Sequence, residues 1–162
     1  AIESGDRAAL VGKNGSGKSS LLKLLMGEKI AYGGSLRIGS GLSISYVPQD
    51  TSFLRGSIRD FTRLENIDES LFGAILRKLD FSRNQFDKDM ADYSEGQKKK
   101  VLIAKSLCQR AHLYIWDEPL NFIDVISRMQ IEDLLLKHKP TMIFVEHDRA
   151  FCDRVATKQI VL

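Results

Sequence analysis

The residues with the plainest chemical potential are Gly12-Lys13-Asn14-Gly15-Ser16-Gly17-Lys18-Ser19, spaced as G-x-x-x-x-G-K-[ST]. Glycines at this spacing let backbone N–H groups converge on phosphate oxygens with no side chain between them. A lysine at position 18 reaches β- and γ-phosphates, and the Ser19 hydroxyl is a ligand for Mg²⁺. Ser20 extends the same helix start, whose free N–H groups and positive dipole end favour an anion. The context supports this chemistry. Arg7 to Val11 reads as a buried strand, and Ser20 to Met26 as a helix that Gly27 stops. A glycine-rich turn of no function is the bland alternative, but it explains neither the lysine-serine pair nor the strand and helix on either side.

Four further groups are chemically suggestive. Asp117-Glu118 follows the apolar run Leu113-Tyr114-Ile115-Trp116. One carboxylate there can join a Mg²⁺ shell, and the next can orient or deprotonate an attacking water. The alternative is a turn that ends a strand at Pro119. Gln49 lies just past Val47-Pro48 and could sense metal and water; taken alone it is an exposed turn residue. His147 follows Thr141 to Val145 and could hydrogen-bond a γ-phosphate; a lone histidine at a strand end is more often structural. Ser94-Glu95-Gly96-Gln97 opens a helix, with Ser94 as cap and Gln97 completing a capping box. The same geometry is an anion site with a hydroxyl and a glycine amide, and local physics does not separate the two.

The elements that must position these residues alternate between strand and helix. The reading is an α/β domain, a P-loop NTPase with a mainly parallel sheet flanked by helices. Ligands of such sheets bind beyond the carboxyl ends of the strands, and four candidate sites fall at four strand tips. Ser35 to Ile38 and Leu42 to Val47 both alternate with period two, which suggests a hairpin. From 57 to 92 no strand signal appears. Leu71, Phe72, Ile75, Leu76 and Leu79 form a helical stripe with Asp68 as a cap, so 57–92 is read as a small helical insertion in a single domain spanning 1–162. Val101, Ala104, Leu107 and Cys108 line the apolar side of the helix that Ser94 opens. Further helices are expected from about Val125 to His138, ending before Pro140, and from Arg149 to Val155. The chain is expected to close on a strand at 159–162. Lys98-Lys99-Lys100 reads as a solvated helix face, with contact to RNA or an acidic partner as the alternative. Tyr114 and Trp116 read as core.

Composition sets the bounds. The chain has 162 residues, 43% hydrophobic, with a net charge of +3, so the basic excess does not by itself indicate a nucleic-acid binder. Cys108 and Cys152 lie far apart without metal-ligand spacing and read as reduced thiols. No apolar run approaches the ~20 residues of a membrane span. The chain starts at Ala1 on a turn and stops on what reads as a strand, which suggests a fragment of a longer polypeptide.

The order of the pieces carries a resemblance. A P-loop is followed by Val47-Pro48-Gln49 and by Ser94-Glu95-Gly96-Gln97 opening a helix. An apolar strand then runs into Asp117-Glu118-Pro119, followed by Asn121 and Asp124, and last by His147-Asp148-Arg149. This series resembles the nucleotide-binding domain of ATP-binding cassette (ABC) proteins. The segments Tyr93 to Lys100 and Trp116 to Asp124 resemble the second ABC domain of the antibiotic-resistance, ribosome-protecting branch of the ABC-F class.

The resemblance implies ATP and Mg²⁺ as ligands and ATP hydrolysis as the activity. Gly12 to Ser19 would be Walker A, Gln49 the Q-loop and Ser94 to Gln97 the signature. Asp117 and Glu118 would be Walker B with the catalytic glutamate, Asp124 the D-loop and His147 the switch histidine. Glu118, His147 and Gln49 would then be catalytic, and Ser19, Gln49 and Asp117 would hold the metal. Gly12, Lys13, Asn14, Gly15, Ser16, Gly17, Lys18, Ser19, Ser20, Ser94, Gly96, Gln97 and Asp124 would bind nucleotide. It further implies a soluble cytoplasmic protein, a second ABC domain as partner in the same full-length chain, and the ribosome as a larger partner. An ABC transporter's nucleotide-binding subunit is the alternative. Three departures stand out. Glu95 replaces a signature glycine, Leu120 replaces the usual threonine, and the adenine-stacking aromatic of the family lies upstream of Ala1, so the domain reads as N-terminally truncated.

Overall fold

A computed structural model of the chain describes residues 1–162. Strand β1 (Arg7–Val11) leads through the glycine-rich loop into helix α1 (Lys18–Leu25), and β2 (Ile44–Val47) follows after a long connection. Helices α2 (Ile58–Leu64), α3 (Glu69–Lys78) and α4 (Arg83–Phe86) and a 3-10 turn at Met90–Asp92 come next. Then α5 (Glu95–Cys108), β3 (Leu113–Asp117), α6 (Val125–His138), β4 (Met142–Val145), α7 (Arg149–Val155) and β5 (Lys158–Val161) complete the chain.

The five strands form one sheet in the order β2-β3-β4-β1-β5. Every neighbouring pair is parallel. Both faces are covered, as a parallel sheet requires. Ala9, Trp116 and Phe144 point to one face, into a core shared with Leu76 of α3, Val101 of α5, Leu135 of α6 and Phe151 of α7. Ala8, Leu10, Ile115 and Val145 point to the other face, against Leu22 of α1. Alternate residues of each strand thus serve opposite cores.

Local signals set the helix ends. Gly27 has φ +87°, the left-handed conformation that closes α1. Ser57 accepts from Asp60 N at 3.1 Å to start α2, and Asp68 accepts from Leu71 N at 3.0 Å to start α3. Phe72, Ile75, Leu76 and Leu79 are buried, while Leu71 is left on the surface. Residues 58–92 hold only helices and turns.

The expected hairpin is absent. Residues 35–38 form no strand, and β2 pairs with β3 in the register Ile44↔Leu113 to Val47↔Trp116. Period-two alternation marks an extended segment with two different faces but does not name its partner. Here the partner lies beyond the helical stretch, and Ser43 O receives His112 N at 2.9 Å where the two strands meet.

Candidate functional site

The pairing register brings the strand ends level. Val47 lies beside Trp116, Asp117 beside Val145, and Val145 beside Leu10. Four adjacent strands therefore deliver Gln49, Asp117-Glu118, His147 and the glycine-rich loop to one edge of the sheet. A cleft of about 330 Å³ opens there, lined by Asn14, Gly15, Gly17, Lys18, Ser19 and Ser20 on the loop side and by Gln49, Glu118 and Val145 from the other strands.

The loop has the shape its sequence implies. Gly15 and Gly17 take φ +82° and +97°, the left-handed region that other L-residues adopt only with strain. A Cβ on Gly12 would come within 2.6 Å of Ser16 Oγ, so the loop closes tightly on itself. Lys18 is buried, and its ammonium donates to Gly12 O and to Lys13 O, curling the side chain back along the loop. Ser16 Oγ is buried with no partner. Gly17 caps α1 without any side-chain hydrogen bond, so the first N–H groups of the helix stay free for a ligand.

Glu118 is the hub of the opposite wall. His147 Nε2 donates to its Oε1 at 3.1 Å, and Asn121 Nδ2 donates to its Oε2 at 2.9 Å. Burial pushes this carboxyl up, but hydrogen bonding from Asn121, Gln49 and His147 outweighs burial and holds it below the usual glutamate range. Its backbone is also unusual, with φ +48° for a non-glycine residue. Its N–H donates to Val145 O at 2.8 Å, which pins this strained position against β4. Asp117 has the opposite character. Burial, then the Glu118 charge, push it above the usual aspartate range, and its Oδ1 is buried without a hydrogen-bond partner. A buried carboxylate oxygen with nothing to accept from fits a cation or its water shell. No group of three or more His, Cys, Asp or Glu could hold a metal by itself. A Mg²⁺ ion suits this sparse donor set, since it binds through one or two protein groups together with substrate phosphates.

The other sequence candidates form a second cluster, outside that cleft. Ser94 caps α5 by accepting from Gln97 N at 3.1 Å, and Gln97 Oε1 accepts from Ser94 N at 2.9 Å. The capping box is therefore present, and it leaves the helix start facing solvent. Gly96 packs under the β3–α6 loop, where a Cβ would lie 2.4 Å from Phe122 O. Asp124 caps α6 by accepting from Ser127 N at 3.0 Å and pairs with Lys100 at 2.9 Å.

The lysine run is not a solvated face. Lys99 is 2% exposed and Lys100 8%. Lys99 Nζ donates to Pro48 O at 3.1 Å and Gln49 O at 3.2 Å, tying α5 to the loop that carries Gln49. Burial lowers the Lys99 pKa, opposed by the charges of Asp117, Glu118, Glu146 and Glu95. Glu95 accepts from Thr51 Oγ1 at 2.7 Å, a second link between the same loop and the start of α5. These contacts span about fifty residues, which is why local patterning did not indicate them. Glu146 was also missed as a site residue, although a carboxylate just past an apolar strand is the signal that singled out Asp117.

A doubly covered parallel sheet with a glycine-rich phosphate cradle at its carboxyl edge defines a P-loop NTPase. The ABC transporter family profile matches residues 1–121, and the chain belongs to that family. It is 34% identical to the ATP-binding protein Uup of Buchnera aphidicola, over 97% of this chain and 28% of that protein. It is 29% identical to the ribosome protection protein VmlR of Bacillus subtilis, over 99% of this chain and 30% of that one. Among solved structures it resembles the archaeal ribosome recycling factor aABCE1, seen in complex with the ribosomal stalk protein aP1. That likeness has a TM-score of 0.81 at 26% identity, over 99% of this chain and 32% of the other. The chain thus spans less than a third of the length of these relatives. No helix is long and apolar enough to cross a membrane.

Proposed function

We propose that this domain binds and hydrolyses ATP as part of a cytoplasmic ABC-F protein that couples nucleotide occupancy to ribosome binding and release, in the manner of ribosomal protection against antibiotics. The observation that carries the hydrolytic part is Glu118, held by His147 and Asn121 at the wall of the cleft that the P-loop lines. The similarity to a ribosome protection protein and to a ribosome recycling factor supports the ribosomal part.

The chain's own residues divide the work. The N–H groups of Gly15 to Ser20 receive the β- and γ-phosphates, and Lys18 exchanges its loop carbonyls for phosphate oxygens. Ser19, Asp117 and Gln49 would hold Mg²⁺. Bound there, the ion offsets phosphate charge and fixes phosphate geometry. Glu118, ionised at neutral pH, orients a water and accepts its proton. His147 steadies the Glu118 carboxylate and faces the γ-phosphate.

Ser94, Gly96 and Gln97 stand apart from this cleft, so one copy of the domain presents two half-sites. The proposal assigns them, with Asp124, to the nucleotide of a second ABC domain in the full-length chain. Weak turnover by the isolated domain and faster turnover by the tandem protein are expected; equal rates would contradict the composite site. Glu118→Gln in the full-length protein should bind ATP and lower kcat by about 10²- to 10⁴-fold. Unchanged turnover removes Glu118 from the role. Co-sedimentation of that variant with ribosomes in ATP is the expected result; membrane association in its place would favour a transporter subunit, as the family's description allows.

A further inference from the structure

Glu146 is 8% exposed and lies one residue before His147. Its two oxygens serve different loops. Oε1 accepts from His147 N at 2.9 Å and from Asp148 N at 3.3 Å, within the loop that leads from β4 to α7. Oε2 crosses to the β3–α6 loop and accepts from Leu120 N at 3.1 Å. Leu120 sits between Glu118 and the rest of that loop and is itself buried.

A second side chain grips the same two loops from the other side. Arg128, on the first turns of α6, donates from Nη2 to Leu120 O at 3.3 Å and from Nε to Ile123 O at 2.9 Å. Its Nη1 pairs with Asp148 at 2.5 Å. Leu120 thus gives its N–H to Glu146 and its C=O to Arg128. The acidic side chain collects N–H groups of both loops, and the basic one collects two carbonyls of the β3–α6 loop and the Asp148 carboxylate of the other, so the two side chains tie the same pair of loops in complementary ways.

We propose that Glu146 and Arg128 form a clasp that sets the distance between Glu118 and His147, and that both are positioning residues for hydrolysis. The proposal rests on the hydrolytic reading of Glu118. Glu146 borders a pocket that Gly12, Lys18 and His147 also line, but both of its oxygens are taken by backbone N–H groups, and the Arg128 contacts lie on the β3–α6 loop and Asp148, so the clasp acts through the two loops it holds. The Glu118–His147 contact is a single hydrogen bond between ends of separate strands. Without the clasp, the strand ends keep the last rungs of the β3–β4 ladder, with Asp117 beside Val145, and past them the bond from Glu118 N to Val145 O at 2.8 Å. That tie fixes the Glu118 backbone and leaves the loops beyond it to drift. Small displacements at a reacting centre cost rate rather than ground-state binding.

The test uses the full-length protein. In Glu146→Ser, a hydroxyl at position 146 can still accept from the N–H groups just after it, as serines do in turns, but is too short to reach Leu120. It therefore cuts the bridge while keeping the local turn. The expected result is a kcat lower by about ten- to a hundredfold with KM for ATP within about twofold. In a His147→Ala background the same substitution should lower kcat less than about twofold, because the contact it disturbs is already gone. Arg128→Met attacks the clasp from the opposite side and should give the same split. An unchanged kcat, a parallel rise in KM, or full additivity with His147→Ala overturns the clasp while leaving the hydrolytic reading intact. Loss of the fold in both variants assigns the pair to stability alone and also overturns it. A wild-type protein without ATP turnover overturns the clasp and the hydrolytic reading together.

Discussion

Gly96→Ala separates a steric role of the glycine from its proposed role on phosphate. Gly96 sits in the first turn of α5, directly beneath the carbonyl of Phe122. An added Cβ would lie 2.4 Å from that oxygen, where side-chain carbons do not come within 3.0 Å. The obstacle is backbone, so no rotamer change relieves it. Either α5 or the β3–α6 loop must retreat by at least the difference between those two distances. That loop already carries non-glycine residues with positive φ at Glu118 and Phe122, and it ends on Asp124, whose bond to Lys100 runs back to α5. Overpacking of this kind costs about 1–3 kcal/mol. Replacing a helical glycine by alanine returns at most about 1 kcal/mol. With the middle of the overpacking range, about 2 kcal/mol, set against a return of at most about 1 kcal/mol, the net expectation is a loss of about 1–2 kcal/mol, or a melting temperature about 2–8 °C lower for a domain of this size. Thermal unfolding followed by the fluorescence of Trp116, the single tryptophan and fully buried, reads this directly. Gly33→Ala is the control, since a Cβ there meets nothing within 4 Å, and it should be neutral or slightly stabilising. A Gly96→Ala chain as stable as wild type would show that the loop yields freely, and the steric argument would fail.

Ser106 of α5 accepts Trp116 Nε1 at 2.8 Å and bonds Ser45 Oγ at 2.6 Å, all of it buried. Ser106→Ala leaves the indole N–H unpaired, while Ser45 keeps Gln109. A loss of about 1–3 kcal/mol is expected in denaturant unfolding, and a change below about 0.5 kcal/mol would contradict it. Asp124 gives the pH prediction. Burial pushes its carboxyl up, but Lys100 and Ser127 hold it well below the usual aspartate range. A depressed folded pKa adds stability above the unfolded value of about 3.9, and that stability is lost as pH falls further through the folded value. The melting-temperature difference between wild type and Lys100→Met should therefore stay constant from pH 8 to about pH 5 and shrink only below about pH 4. A difference that fades between pH 7 and pH 5 would show that the Lys100–Asp124 pair does not set it.

What the sequence discloses and what it withholds divide along the range of the interactions. The cradle from Gly12 to Ser19, the capping box of Ser94 and Gln97, and the strand ahead of Asp117 are each set by neighbours a few residues away, so their residue types carry the signal. Strand partners are not local. The alternation at 35–38 and 42–47 is real as a pattern, yet β2 pairs with β3 across the whole helical stretch. The lysine run shows the same limit. Three consecutive lysines on a polar helix start look solvated, because nothing within several residues could bury them. Lys99 is buried by carbonyls at 48 and 49, and Lys100 by the Asp124 side chain. The ties that hold the site are of this long-range kind: Thr51 to Glu95, Lys99 to the Gln49 loop, and Glu146 to Leu120. The α5 start and the Gln49 loop are bound together twice, by an ammonium on carbonyls and a hydroxyl on a carboxylate. These ties put the Gln49 loop and the helix start that carries Ser94 in direct contact within one domain. If Ser94, Gly96 and Gln97 serve the nucleotide of a second domain as proposed, breaking one link, as in Thr51→Val, should slow ATP turnover of the full-length protein while leaving its affinity for the nucleotide unchanged; a Thr51→Val protein with wild-type turnover would show that this link carries no coupling.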